Sequence, residues 1–345
     1  MAKVLRRGWT TGACATAALK AALLKLWGDQ SVSNVQITLP RGETPVFAIA
    51  HFETGEGWVE VGITKDAGDD PDVTHGALIV VRVSPALPGQ GVVFRAGPGV
   101  GMVTLPGLPI APGEPAINPV PRQMMMGVVA ELALQFGKQG DVVVTVSVPG
   151  GEALALKTWN PRLGIVGGLS ILGTTGIVRP FSCAAWIASI HRGIDVARAS
   201  GLTHVAGCTG AQSEAAVQRH YGLSDIAMLD MGDFFGGMVK YLRRHPVERL
   251  TVGGGLGKMI KLAQGAVDLH SARSQLDFAR LGSDTALPIG HALTALQAYE
   301  IAGPELAAQV ANQALEAVKR AVGQAPIVAD VIVTDRSGNV IGQAK

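Results

Sequence analysis

The densest group of titratable side chains in the sequence lies at residues 66–75. Asp66, Asp69, Asp70 and Asp72 stand there with His75, so four carboxylates and one histidine fall within ten residues. Their spacing does not fit a calcium loop, and a solvated Asp-Pro turn would need only one or two aspartates. Because crowded carboxylates raise one another's pKa, the pattern predicts acid–base chemistry. The predicted catalytic residues are Asp66, Asp69, Asp70 and His75.

A second set of residues predicts a ligand site at the ends of parallel strands. Residues 202–261 repeat one pattern three times: a short apolar run, a small or acidic turn, and a helical stretch. This alternation predicts βαβ units and a parallel sheet, whose ligands bind beyond the carboxyl ends of the strands. The residues expected there, and therefore at a cofactor, are Gly207, Thr209, Gly210, Asp230, Gly253, Gly254, Gly255 and Gly257.

The glycine-rich turns narrow the class of cofactor. A P-loop would need glycine at Val252 and serine or threonine at Met259. A dinucleotide fingerprint also fits poorly, because Lys258 stands where its third glycine belongs. Asp230 falls at a strand end, where an acid can accept hydrogen bonds from ribose hydroxyls. Glycines and this acid without a pyrophosphate fingerprint indicate an adenosyl ligand that carries no phosphate, such as S-adenosylmethionine.

Two Thr-Thr-Gly sequences, at residues 10–12 and 174–176, each precede a helical pattern. The N–H groups of a first helical turn can hold a carboxylate, although a plain capped core helix explains residues 10–12 equally well.

His270, in a polar cluster at residues 267–278, is a further catalytic candidate. A satisfied structural histidine accounts for it slightly better.

The elements that would position these residues predict an α/β and α+β chain of two domains. Residues 10–27 predict an alanine-rich helix that is apolar on almost every side, which is typical of a buried helix. Strands are predicted at residues 35–39, 44–51, 58–63, 77–83 and 142–148, with a short one at 153–159. Helices at about 287–302 and 304–322 precede a closing strand at 327–334.

Composition restricts the classes of function. The chain has 345 residues, is 48% hydrophobic and contains 45 glycines, which suits a compact two-domain enzyme. A net charge of +2 without a long basic block argues against a nucleic-acid partner. No apolar run reaches the roughly 18 residues of a membrane span, and Lys20 and Lys25 interrupt a signal-like N-terminus. With three widely spaced cysteines, a cytoplasmic protein is expected.

Several stretches resemble the cobalt-precorrin-5B C1-methyltransferase family of anaerobic cobalamin biosynthesis. They lie at residues 7–14 (RGWTTGAC), 65–76 (KDAGDDPDVTHG), 113–122 (GEPAINPVPR), 149–152 (PGGE), 160–176 (NPRLGIVGGLSILGTTG) and 257–263 (GKMIKLA). These stretches span most of the chain in the family's order. The agreement is looser at residues 207–210 and 267–278.

The resemblance implies methyl transfer from S-adenosylmethionine to ring carbon C1 of cobalt-precorrin-5B, giving cobalt-precorrin-6A. It implies an α+β substrate-binding domain with a mixed sheet at residues 1–160 and a Rossmann-like donor-binding domain with a parallel sheet flanked by helices at 161–345. Cobalt arrives inside the substrate, so no protein metal site is expected. The substrate is a macrocycle with many carboxylates, which calls for cations and helix N-termini. The residues expected to bind it are Thr10, Thr11, Gly12, Arg122, Arg162, Thr174, Thr175, Gly176, Lys258 and Lys261.

Other interpretations stay open at this point. A surface ion pair explains each arginine and lysine candidate equally well. A nicotinamide-dependent corrinoid reductase would use the same doubly wound half of the chain. A non-catalytic tetrapyrrole carrier would use the loop-rich residues 84–121 as a cradle. In each case the partner is a small tetrapyrrole rather than a nucleic acid or a membrane, and a homo-oligomer is left open.

Overall fold

The fold is known from a computed structural model, which describes residues 5–345. These residues form two compact units, the first ending at Ser182 and the second covering Cys183–Lys345. Both units contain helices and β-sheets, so the predicted mixed α/β class with several sheets is confirmed. Among the described helices, none is both long and apolar enough to cross a membrane.

The first unit is built around a five-stranded sheet. Its elements in chain order are β1 (Gly8–Trp9), α1 (Thr11–Gly28), β2 (Asn34–Gln36), β3 (Val46–Ala48), β4 (His51–Gly55), β5 (Trp58–Thr64), β6 (Leu78–Pro85), β7 (Val92–Ala96), β8 (Gly99–Val100), β9 (Met102–Val103), α2 (Pro119–Phe136), β10 (Val142–Ser147), α3 (Gly151–Ala155), β11 (Ile165–Val166), β12 (Gly168–Leu169) and β13 (Ile177–Val178). The main sheet has the order β4-β5-β6-β10-β7, and only β10 and β7 pair in parallel. It is therefore a mixed sheet.

Helix α1 forms the centre of the first core. Alanine and leucine dominate its sequence and are the strongest helix formers, and the Thr10 side chain caps it by accepting the Ala13 N–H. Residues 11–19 and 21–23 of α1 are buried against β5, β6 and α2. The predicted buried, alanine-rich helix is thus confirmed.

The short strand predicted at residues 153–159 is wrong. Residues 151–155 form helix α3, because Glu152, Ala153, Leu154 and Ala155 are strong helix formers and their preference exceeds the weak alternation. The helix begins where Gly151 packs directly on another backbone: a Cβ there would lie 2.3 Å from the carbonyl oxygen of Gly99.

The second unit contains a five-stranded sheet of a different kind. Its elements are α4 (Cys183–Ala199), β14 (His204–Cys208), α5 (Ala211–Tyr221), β15 (Met228–Leu229), α6 (Phe235–Leu242), β16 (Arg249–Gly255), α7 (Leu256–Ala263), α8 (Phe278–Thr285), α9 (Ala295–Val322), β17 (Val328–Thr334) and β18 (Val340–Ala344). The order is β15-β14-β16-β17-β18; the first four strands are parallel and β18 is antiparallel. The three predicted strand–helix units at residues 202–261 are confirmed.

Helices cover both faces of this sheet. Successive residues of a strand point to opposite faces, and Val205 lies in a core with α4, α6, α7 and α9, whereas Ala206 lies in a core with Val217 of α5. The predicted helix at 287–302 begins only at Ala295, because Pro288 and Gly290 precede it and Thr294 caps it. Gly303, with φ 64°, breaks α9 at the predicted boundary.

Candidate functional site

The carboxylates at residues 66–70 join distant segments of the first unit. The Arg6 guanidinium pairs with the Asp66 carboxylate, and the Arg6 backbone N–H donates to Asp69 Oδ2 at 2.8 Å. Asp70 Oδ1 accepts the backbone N–H of Phe181 at 2.8 Å. The loop therefore holds the beginning and the end of the first unit side by side, where β1 also pairs with β13.

The remaining titratable groups of the loop are held from within. Lys65, whose side chain is 1% exposed, places Nζ 2.6 Å from Asp72 Oδ2. Asp72 Oδ1 accepts both the N–H and the hydroxyl of Thr74. His75 Nδ1 accepts the backbone N–H of Ala67 at 3.1 Å. A buried ion pair thus lies under the acidic surface of the loop.

The electrostatics of the loop differ from the expectation of raised pKa values. The hydrogen bond from Arg6, followed by that from the Gly68 N–H, lowers the pKa of Asp66 to about 2. Burial would raise the pKa of Asp72, but the charge of Lys65 and the bonds from Lys65 and Thr74 outweigh it and lower that pKa. These two groups are carboxylates at neutral pH, because each has its own cation.

The two Thr-Thr-Gly sequences meet in the first unit. The Thr10 N–H donates to the Gly176 carbonyl at 3.0 Å, and the Gly12 N–H donates to the Leu172 carbonyl at 2.8 Å. Thr11 Oγ1 accepts the Leu172 N–H at 2.8 Å. Thr174 is exposed and Thr175 is half-buried beside them. An anion at the start of α1 would have to replace some of these internal bonds.

In the second unit the predicted cofactor residues lie along one edge of the sheet. Thr209, just after β14, donates its N–H to the carbonyl of Gly253 in β16 at 3.0 Å. Gly232, just beyond Asp230 and β15, donates its N–H to the Cys208 carbonyl at 3.0 Å. The strand order reverses between β14 and β16, since β15 lies on one side of β14 and β16 on the other. Ligands of open parallel sheets bind at such a reversal.

Three of the glycines on this edge pack closely against side chains of the same unit. A Cβ on Gly207 would lie 2.4 Å from Met238 Sδ, and one on Gly254 would lie 2.7 Å from Met259 Sδ. A Cβ on Gly253 would lie 2.6 Å from a methyl group of α5. Contacts within the protein therefore account for glycine at these three positions, and no ligand is needed to explain them.

Two other glycines leave open space. A Cβ on Gly210 or Gly255 would meet no atom of another residue within 4 Å, and Gly255 has an ordinary φ of −65°. At Gly257 the nearest atom would be the Ala295 methyl at 3.5 Å. Packing does not require glycine at 210 or 255. Both are the N-cap residues of α5 and α7, where glycine is favourable, and the backbone at both positions is open to an approaching ligand.

Comparisons with known proteins show the family of this chain. The CbiD family profile matches residues 1–180. The chain belongs to the CbiD family. It is 56% identical to the cobalt-precorrin-5B C(1)-methyltransferase of Brucella anthropi, over 98% of this chain and 95% of that one. It is 57% identical to the enzyme of the same name from Paramagnetospirillum magneticum, over 99% of both chains.

A solved structure is also similar to this CbiD-family chain. It is the crystal structure of the cobalamin biosynthesis protein CbiD from Archaeoglobus fulgidus, with 28% identity and a TM-score of 0.43. The match covers 78% of this chain and 83% of that one.

The cationic candidates of this CbiD-family chain all have internal contacts. Arg122 donates to the carbonyls of Ile117 and Pro115 and pairs with Glu114, so it fastens its own loop. The Arg162 guanidinium lies over the Trp159 ring, 4.2 Å from its centroid.

The two lysines of α7 point towards residues 267–270. Lys258 Nζ binds Asp233 and the Leu269 carbonyl, and Lys261 Nζ binds the same carbonyl at 3.1 Å. Burial, and then the charge of Lys258, lowers the pKa of Lys261. His270 is exposed in this segment, and its Nδ1 accepts the Ala272 N–H. The lysines thus support the loop on which His270 stands.

A cluster that the sequence did not predict lies on the β4–β5 hairpin. His51 Nε2 is 3.1 Å from Glu60 Oε1 and 4.0 Å from Glu53 Oε2, so three potential metal ligands lie close together. Arg82 Nε donates to the other oxygen of Glu60 at 2.9 Å. The sequence shows His51 and Glu53 as a His-x-Glu pattern on one strand. The third group, Glu60, joins them only through the strand pairing, which sets it opposite Glu53.

Proposed function

We propose that this chain transfers a methyl group from S-adenosylmethionine to C1 of cobalt-precorrin-5B, giving cobalt-precorrin-6A in cobalamin biosynthesis. The observation that carries the proposal is the identity of 56–57% over nearly the whole chain to two methyltransferases of that name. Cobalt enters as part of the substrate, so the reaction needs no metal held by the protein.

The donor belongs at the carboxyl edge of the second sheet, within a Rossmann-like domain. The sequence led us to expect this domain at residues 161–345, and the compact unit that contains the sheet covers Cys183–Lys345. The reversal of strand order between β14 and β16 supports this position. The open backbone at Gly210 and Gly255 offers close approach, and Asp230 follows β15, where an acid can accept hydrogen bonds from ribose hydroxyls. No pyrophosphate fingerprint is needed, because the donor has no phosphate.

Methyl transfer asks the protein mainly for alignment. The nucleophilic ring carbon forms a bond to the methyl group while the carbon–sulfur bond breaks, and its electron pair stays on sulfur. Holding the two reactants in line supplies much of the rate of such a displacement. Residues 1–160 are the substrate-binding domain in this proposal. Their loop at 66–75 and their Thr-Thr-Gly sequence at 10–12 orient the macrocycle or adjust a proton. The second Thr-Thr-Gly sequence, at 174–176, lies beyond residue 160 but binds the first and shares this role.

Incubation with the cobalt-corrinoid intermediate, methyl-labelled S-adenosylmethionine and NADH tests the function. Label in the corrinoid product is expected. Consumption of NADH with an unlabelled product would instead indicate a reductase, and binding without conversion would indicate a carrier. Absence of donor binding in calorimetry would overturn the proposal.

The open glycine at 255 allows a direct test of the donor site. Gly255→Val should fold, because the Cβ that it adds has no protein atom within 4 Å, but should weaken S-adenosylmethionine binding. Forcing a side chain into occupied space costs about 1–3 kcal/mol, which corresponds to about 5- to 150-fold in the dissociation constant. Gly127→Val in α2 is the matched control, because its Cβ also meets open space. Equal donor affinity in both variants would contradict this site.

The acidic loop allows a separate test of its proposed role. Asp70→Asn removes the charge but keeps the oxygen that accepts the Phe181 N–H, so the loop should persist. If the carboxylate adjusts a proton, turnover should fall by about 100-fold or more while donor affinity stays the same. Asp141→Asn is the control, because Asp141 also accepts backbone N–H groups in this unit. Unchanged turnover in Asp70→Asn would rule out this role.

A further inference from the structure

An exposed tryptophan stands beside the proposed donor edge. Trp186, in the first turn of α4, is 45% exposed, although large aromatic side chains are usually mostly buried. It lies next to residues 230–234, which connect β15 to α6. An exposed indole in this position calls for an explanation beyond packing.

The indole is held in a fixed orientation. Its Nε1–H donates to the Asp230 carbonyl at 2.8 Å, and a Cβ on Gly232 would lie 3.4 Å from the ring. The Phe234 ring packs at a centroid distance of 6.0 Å and a tilt of 50°. One part of the ring is therefore anchored on the β15 turn, while the remainder is open to solvent. A rigid, exposed aromatic ring costs little entropy when it binds a flat ligand.

The turn connects this ring to the rest of the edge. The Gly232 N–H donates to the Cys208 carbonyl in β14. Thr209, which follows Cys208 in the chain, donates its N–H to the carbonyl of Gly253 in β16. Trp186 therefore begins a continuous row that runs from the end of β15 across β14 to β16. Adjacent strands are about 4.8 Å apart, so the row spans about 10 Å.

We propose that the exposed indole of Trp186 is the platform on which the adenine ring of the methyl donor stacks. The donor then lies across the strand ends, with adenine at β15 and its methionine end towards the open backbone at Gly210 and Gly255. Purine rings stack on aromatic side chains, and Asp230, whose carbonyl holds the indole, lies beside the place of the ribose. This inference rests on the proposed function, because it assigns one subsite of the same donor.

Calorimetry with S-adenosylmethionine and S-adenosylhomocysteine tests the platform. Trp186→Ala should weaken both ligands by about 5- to 150-fold, the range that loss of one base–aromatic stack produces. Trp186→Phe keeps a ring but loses the bond to Asp230, and should bind within a few-fold of the wild type. Trp58→Ala, which removes a partly buried indole of the first unit, is the control and should leave donor affinity unchanged. In turnover, Trp186→Ala should raise the donor KM more than it changes kcat.

The outcomes separate the inference from the function on which it rests. Donor binding by Trp186→Ala within twofold of the wild type would overturn the platform and leave methyl transfer intact. An equal loss of donor affinity in Trp186→Phe and Trp186→Ala would assign Trp186 to anchoring the turn. A raised KM for the corrinoid with normal donor affinity would assign Trp186 to binding of the macrocycle. Either result would overturn the inference. A wild-type protein that binds no donor would overturn both proposals.

Fluorescence provides a second measurement that does not require the alanine variant to fold. Trp186 is the one tryptophan after Ser182, the others being Trp9, Trp27, Trp58 and Trp159. Saturating adenosine, without its methionine part, should change the emission of the wild type, and Trp186→Phe should lose that change. The same change in wild type and Trp186→Phe, or none with saturating S-adenosylhomocysteine, would contradict stacking.

Discussion

Replacing Lys65 by methionine should lower the free energy of unfolding by about 3 kcal/mol. Lys65 is 1% exposed, and its Nζ lies 2.6 Å from Asp72. Methionine fills the space of the stem but leaves the carboxylate without its cation. Breaking a buried pair from one side costs about 3–5 kcal/mol, and the lower value applies because the Asp72 side chain is still 25% exposed. Urea denaturation followed by circular dichroism measures the change.

Two further variants isolate the ion pair. Lys20→Met removes a pair with Glu131 whose acid is 58% exposed, and should cost less than about 1 kcal/mol. Lys65→Met combined with Asp72→Asn removes the orphaned charge, retains the acceptor for Thr74, and should recover part of the loss. A Lys65→Met protein within about 1 kcal/mol of the wild type would show that the pair contributes little.

Replacing Asp330 by alanine should destabilise the protein by about 3–5 kcal/mol. Asp330 in β17 is 1% exposed and accepts from Arg249 at 2.7 Å, Thr251 at 2.8 Å and Tyr221 at 2.9 Å. Alanine would leave three polar groups without this partner in or near the core. Asp330→Asn keeps one acceptor and should cost less. Asp225→Ala, at an exposed carboxylate, is the control and should change stability by less than about 1 kcal/mol.

The same network makes stability depend on pH. His204 binds the Thr251 hydroxyl beside Asp330, and burial, followed by the charge of Arg249, lowers its pKa below 6.5. The unfolded chain therefore binds a proton more readily than the folded one. This contribution to stability is complete above about pH 6.5 and is lost as pH falls towards the folded pKa. His204→Gln should reduce the pH dependence of the urea denaturation midpoint in that range. The same pH dependence in His204→Gln and the wild type would contradict the assignment to His204.

The second sheet was predictable because its signals are local. Each strand–helix unit at residues 202–261 carries its own apolar run and turn. The parallel pairing of these strands and their shared carboxyl edge therefore required no knowledge of distant contacts.

The sequence did not predict which of the glycines on this edge have free space around them. Gly254 and Gly255 are neighbours in the chain, yet Met259 fills the space at the first and no residue fills the space at the second.

The acidic loop shows the opposite limit. Its carboxylates were conspicuous in the sequence, but Arg6 and Phe181, which bind Asp66 and Asp70, are 60 and 111 residues away. Without those partners, crowding predicted raised pKa values, whereas Arg6 lowers that of Asp66. Lys65 gave no signal of burial, because a lysine beside an aspartate also describes an exposed turn. Contacts with residues far along the chain decide the pKa and the burial of such groups, and a single sequence does not show which distant residues those are.

The pairing of β1 with β13 has a consequence for the synthesis of the protein. Gly8 and Trp9 leave the ribosome early, but their partners Val178 and Ile177 follow about 170 residues later. At translation rates of about 5–20 residues per second, β1 waits roughly 8–35 s for its partner strand. Asp70 waits roughly 6–22 s for Phe181, which follows it by 111 residues. The first unit therefore closes as one of its last folding events, after its main sheet and α1 have already been made.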